Sequence, residues 1–308
     1  MPAKKPRKTS SRREGKDLTA VGDDLSQVPA PAVLPLDLPI APDAPPPRAG
    51  LVRMVPLHEW LDEQEEVKRP LLWAHVTNGW RLNLILDSGE IAAKRECEHF
   101  HQFLVYAFYG RPAYRDSSEA STRNSARAPM VILLNASVEK LVRTIFPFDS
   151  GAYLNGRYDA WLPAHMPIDY FSLQTDPRRV RRFVKAFYGS NEAYWRMKVS
   201  APSGNLSLRP VVDTLCEILG DVGIENADDR RLAVEMSLAS PIPFRSEFVH
   251  SLIVPEEFVD ALNEVKLTER TGIDVKPYIL NPIRKASDHL GSLEVEAKAI
   301  NASRSAFL

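Results

Sequence analysis

Apolar positions along this chain come in short runs that switch between the helical and the extended period from about residue 51 onward. Val55 to Val67 reads as a short amphipathic helix whose outer face carries Glu59, Asp62, Glu63, Glu65 and Glu66. LLWAHVT at 71–77 reads as a strand. GWRLNLILDSGEI at 79–91 then reads as a helix with Leu82, Ile85 and Leu86 on one face and Ser88-Gly89 as its stop. FLVYAFY at 103–109 and MVILLN at 130–135 are strand-like, and SVEKLVRTI at 137–145 has helical spacing. DPRRVRRFVKAFYG at 176–189 shows a helix grammar, with Asp176 as cap, Pro177 in the first turn, and Val180, Phe183, Val184 and Phe187 along one side. Helices are expected at about 210–219 and 227–238, a strand at 247–254, a helix or turn at 254–262, a strand at 275–281 and a helical tail. Short strands joined by irregular connections point to an α+β fold rather than a doubly wound parallel sheet.

The first fifty residues break the pattern. They hold ten of the 25 prolines, and VPAPAVLPLDLPIAPDAPPP at 28–47 spaces them so that neither a helix nor a paired strand can form. A disordered, Pro-rich arm over 1–50 is therefore expected, followed by a single α+β domain over 51–308. Lys4, Lys5, Arg7, Lys8, Arg12, Arg13 and Lys16 face the single acid Glu14. Such a tail serves either as a solvated end or as a phosphate-pairing arm.

The 308 residues are 44% hydrophobic and 26% charged, as in soluble globular proteins, with a net charge of −1. No run approaches the roughly 20 apolar residues a bilayer needs, so no membrane span is expected. The N-terminus lacks the apolar stretch of a secretory signal, and Cys97 and Cys216 sit in unrelated contexts; a reducing cytoplasm is the expected compartment. Gly-rich phosphate loops are missing, as are GxSxG and HExxH, which removes support for Rossmann, P-loop, serine-hydrolase and zincin readings. Cys97, His99 and His101 share one side of an extended segment but lack a fourth ligand, and no metal is expected.

Three patches carry candidate chemistry. Strand alternation sets His75 and Thr77 on one face, an imidazole and a hydroxyl able to address one ligand. VYAFYGRPAYR at 105–115 is an aromatic strand that runs into Gly110-Arg111-Pro112. RSEFV at 245–249 opens a late strand with the carboxylate of Glu247 in an apolar setting, and Val254-Pro255-Glu256 follows. The helix at 176–189 adds a basic stripe of Arg178, Arg181, Arg182 and Lys185, either a solvated face or a nucleic-acid contact.

In order and context these patches resemble the ADP-ribosyltransferase superfamily, most closely its DNA-modifying toxins of the DarT type. The resemblance spans Leu71 to Leu262 as three short stretches. It implies a split, strongly curved α+β sheet with surrounding helices and with NAD, as substrate, bound in a central cleft. It implies that His75 bonds the nicotinamide ribose with Thr77 beside it, that Glu247 is the catalytic glutamate, and that Arg111 contacts phosphate from the rim of that cleft. Tyr106, Tyr109 and Trp80 are the aromatics placed to stack on nicotinamide or shield the developing cation. Residues 151–240 have no counterpart in the family and read as an inserted or elaborated helical region that builds the acceptor site. The implied function is an NAD-dependent ADP-ribosyltransferase acting on nucleic acid, a toxin or antiviral effector with a neutralising or regulatory protein partner. The alternatives are a NAD glycohydrolase, in which water replaces the acceptor, and a non-catalytic nucleic-acid or protein binding module on a degenerate cleft.

Overall fold

A computed structural model of the chain describes residues 54–113, 120–200, 209–220 and 229–306. The expected Pro-rich arm and its basic tail lie outside the described residues. Seven strands form one mixed sheet: β1 (Trp73–Asn78), β3 (Val105–Tyr109), β4 (Pro129–Leu134), β5 (Val142–Phe146), β6 (Glu235–Leu238), β8 (Val249–Pro255) and β9 (Asp274–Tyr278). A two-stranded ribbon pairs β2 (Glu90–Ile91) with β7 (Ile242–Pro243). The sheet order is β5-β6-β3-β1-β4-β8-β9, antiparallel throughout except for the parallel β8–β9 pair. The helices are α1 (Leu57–Leu61), α2 (Gly79–Ser88), α3 (Ser150–Leu154), α4 (Arg178–Tyr188), α5 (Asn191–Trp195), α6 (Pro210–Gly220), α7 (Glu256–Glu264), α8 (Leu267–Thr271) and α9 (Leu290–Ser303). The protein is thus α+β, with a mixed seven-stranded sheet flanked by helices.

β4 is buried at all six positions, as expected of a strand packed on both faces. β1 runs beside it in full register, from Trp73 opposite Leu134 to Asn78 opposite Pro129. Asn78 then caps α2 by accepting from the Arg81 amide at 3.0 Å, so strand and helix join without a loop. Gly79 is required at this junction: a β-carbon there would lie 2.3 Å from the Ser125 carbonyl oxygen. At the other end of the domain, the buried Asn301 side chain of α9 accepts from the Leu72 amide at 2.9 Å and fixes the chain as it enters β1.

Two segments with helical spacing are strands. SVEKLVRTI forms only a 3₁₀ turn at Ala136–Leu141 before β5 begins. Of 227–238, the described part is a 3₁₀ turn at Asp229–Leu232 and then β6. All four β6 residues are buried between β3 and β5, and the two ladders outweigh a weak local helical pattern. Among the described residues, the region 151–240 carries helices and turns up to Leu232 and then β6, which lies in the interior of the main sheet.

The basic stripe of α4 faces acids of its own chain. Arg179 and Arg182 both reach Asp62 at 2.7 Å, and Arg181 reaches Glu66 at 2.8 Å. Arg178 pairs with Asp176 at 2.9 Å, while Lys185 stays exposed. Beneath these pairs the ring edge of Trp60 meets Phe187, with centroids 5.6 Å apart, and this contact docks α1 on α4. Arg178, Arg181 and Arg182 are therefore not a free cationic surface for nucleic acid, because their charge is met by Asp62, Glu66 and Asp176.

Candidate functional site

β1 and β3 begin as neighbours and then part. Trp73 pairs with Tyr109 and Ala74 with Phe108, and there the ladder stops, although β1 continues beside β4 to Asn78. A cleft of about 500 Å³ opens at the parting. His75, Val76 and Thr77 line it from β1, and Tyr106 and Phe108 from β3. Arg81, Leu84 and Ile85 of α2 form one wall, the irregular segment 91–100 another, and Asp149, Ser150, Gly151, Arg230 and Glu235 the rest.

The imidazole of His75 bridges the gap where the strands separate. Its Nδ1 lies 2.8 Å from the Tyr106 carbonyl oxygen. A carbonyl accepts only, so Nδ1 carries the proton and Nε2 is left as an acceptor. Burial, with help from the nearby Arg81 guanidinium, lowers the His75 pKa and keeps the ring neutral. Thr77 is 5% exposed, and its hydroxyl has no partner among the described residues. The Tyr106 hydroxyl donates to the Cys97 thiol at 3.1 Å, which ties segment 91–100 to β3, and burial raises the Tyr106 pKa. His99, farther along that segment, meets the Asn155 amide group at 3.3 Å.

Of the acids that line this cleft, Glu96, Glu98, Asp149 and Glu235, the last sits deepest in the sheet. It opens β6 directly across from Phe108 on one side and Phe146 on the other, which places it inside the sheet at 5% exposure. Ser150 holds one carboxylate oxygen, Oε1, with both its hydroxyl and its amide. The other oxygen has no partner among the described residues. Burial first, and then the nearby Asp149 carboxylate, push the Glu235 pKa up to about 8. Asp149 itself caps α3 through the Ala152 amide at 2.7 Å and pairs with Arg230 at 2.7 Å. Arg81, by contrast, is exposed at the cleft wall and makes no ion pair among the described residues.

No protein-family model matches this chain, and no curated protein matches it. What the cleft can hold follows from its donors and acceptors. A neutral ring nitrogen, a threonine hydroxyl and a carboxylate oxygen suit the hydroxyls of a sugar, and an uncommitted guanidinium suits a phosphate.

Of the residues expected from sequence, His75, Thr77 and Tyr106 meet here. Tyr109 does not: it is 1% exposed, packs edge-on against Trp73 at 5.3 Å, and accepts from the Leu71 amide at 3.0 Å, all within the core. Arg111 is also away from the cleft lining. Gly110, at φ 70°, turns the chain back so that its amide donates to Leu72 at 2.8 Å, and Arg111 becomes 1% exposed with Glu294 of α9 at 3.1 Å. A rim phosphate contact is incompatible with that burial. Trp80 is 60% exposed and outside the lining.

Glu247 lies before β8, which is separated from the split by β4 and β1. It is half exposed, pairs with Lys140 at 2.9 Å and Arg245 at 2.8 Å, and is not part of the cleft. Those two cations also flank the Phe248 ring, at 4.6 and 5.3 Å from its centroid. Bonding to Lys140 lowers the Glu247 pKa and keeps it ionised as an anchor for this loop. Glu235 is hidden in the sequence because 227–238 has helical spacing, which turns an acid toward solvent. The available signal was LAVEMSL at 232–238, a single carboxylate inside an apolar run.

Proposed function

We propose that the protein is an NAD-consuming ADP-ribosyltransferase acting on nucleic acid, with Glu235 in the catalytic position that sequence resemblance gives to Glu247. The observation that carries this reading is the split itself: it brings a buried acid with one uncommitted oxygen to the same cleft as His75 and Thr77. Breaking the bond between nicotinamide and ribose builds positive charge on the sugar, as in other glycosyl transfers. A carboxylate beside that sugar stabilises the transition state more than the ground state. Neutral His75 accepts a ribose hydroxyl proton, the Thr77 hydroxyl acts beside it, and Ser150 holds Glu235 so that its open oxygen faces the reacting sugar. Arg81 takes the phosphate role that Arg111 cannot fill.

Incubating the protein with NAD and mixed DNA and RNA is expected to release nicotinamide and to add one ADP-ribose mass to nucleic acid. Recovery of free ADP-ribose alone would favour a glycohydrolase instead.

The carboxylate acts in its ionised form, which sets the sign of the pH dependence. Because the Glu235 pKa stands at about 8, kcat/KM for NAD is expected to rise through that pH and level off above it. Asp149→Asn removes a neighbouring negative charge, so the rising limb moves to lower pH. Rates of nicotinamide release between pH 6 and 9 check both, and a flat profile would exclude an ionising Glu235 from the step.

A further inference from the structure

We infer that Trp80, Arg123 and Arg127 form the docking surface for a single-stranded nucleic acid at the mouth of the cleft; the inference rests on the transferase reading only for calling that strand the acceptor. α2 carries both the cleft wall and its outer lip. Leu84 lines the cleft, and Trp80 stands one helical turn before it on the same side, 60% exposed and beyond the lining. A tryptophan left this open at the edge of a polar cleft offers a stacking face rather than core volume.

The 3₁₀ turn Ser125–Arg127 is held against this lip. The Gly79 amide donates to Ala128 at 3.0 Å, and Gly79 approaches the Ser125 carbonyl too closely to tolerate a side chain. Arg127 ends that turn, and Arg123 begins the approach to it. Both are exposed, and neither makes an ion pair among the described residues. Glu256 and Glu257 open α7 at the same end of the sheet, yet neither pairs with these arginines. This is the opposite of α4, whose arginines are matched by acids. An open aromatic face at the lip of the cleft, with exposed arginines on the turn held against the same helix end, fits a strand with splayed bases and accessible phosphates.

The test uses a fluorescein-labelled single-stranded oligonucleotide of about 12 nucleotides, within the usual site size, titrated by anisotropy without NAD. Trp80→Ala is expected to weaken binding about tenfold or more, as loss of a stacked base does. Arg123→Glu with Arg127→Glu is expected to lower the slope of log Kd against log salt by about 1.4, at about 0.7 per lost single-strand phosphate contact. Thermal melts of both variants should match the wild type, which shows that they fold, and nicotinamide release from NAD alone should be unchanged. Wild-type affinity and slope in both variants would overturn the surface. So would poly-glutamate of equal charge binding as tightly as the oligonucleotide, which would point to an acidic protein partner. If the variants weaken the oligonucleotide but the protein never releases nicotinamide, the surface stands and the transferase reading falls. If nicotinamide is released while the oligonucleotide is ignored, the surface falls alone.

Discussion

Glu235→Gln is expected to cut nicotinamide release from NAD by about 10³-fold or more, whereas Glu247→Gln retains near wild-type turnover. The contrast follows from placement: one carboxylate is buried at the split in the sheet, the other is exposed and held by Lys140 and Arg245. The same variant carries its own folding control. Folded Glu235 has a pKa of about 8 against an ordinary 4.5, so between those values the native state holds a proton that the unfolded chain has released. Wild-type stability therefore falls as pH rises through that window, by up to about 1.4 kcal/mol per unit, and glutamine removes the dependence. Thermal melts of both proteins from pH 5 to 9 should diverge in favour of the variant as pH increases. Turnover that survives in Glu235→Gln, with this divergence present, would show a folded protein whose chemistry lies elsewhere.

Arg111→Ala is expected to destabilise the fold by about 2–4 kcal/mol, because truncating a fully buried side chain removes its packing and leaves the space unfilled. Arg111 is 1% exposed, and truncation also leaves Glu294 without its cation. Urea denaturation measures the loss. The KM for NAD, taken below the unfolding transition, should not change. A raised KM with unchanged stability would return Arg111 to a ligand-binding role.

The sequence made some parts of the molecule plain and hid others for physical reasons. β1 and α2 were legible because Asn78 and Gly79 give a sharp strand-to-helix junction and Gly89 a stop, all of it local chemistry. His75 and Thr77 followed from the strand period alone. β6 was hidden because four residues carry too little periodicity to declare a strand, and its state is set by β3 and β5, which are distant in sequence. Glu235 was hidden with it. Arg111 misled for the same kind of reason: a glycine-arginine-proline turn looks exposed in sequence, and only α9, about 180 residues later, covers it. The α4 stripe reads in sequence as a solvated face or a nucleic-acid contact, because Asp62 and Glu66, which meet it, are distant along the chain.

A cleft cut into one sheet differs mechanically from a groove between domains. β5, β6 and β3 form one leaf and β1, β4, β8 and β9 the other, and the ladder that joins β1 to β3 is short: the Trp73–Tyr109 and Ala74–Phe108 pairs, with the Gly110 amide on Leu72 just beyond them and His75 on the Tyr106 carbonyl. Those pairs act as a fulcrum, with the cleft as the gap between two lever arms. A small rotation at Trp73 and Tyr109 becomes a larger displacement toward Asn78 and Val105, the far ends of the two strands. Tyr109 and Arg111 lie outside the cleft lining, yet by stiffening the fulcrum they bear on the width of the gap beside them.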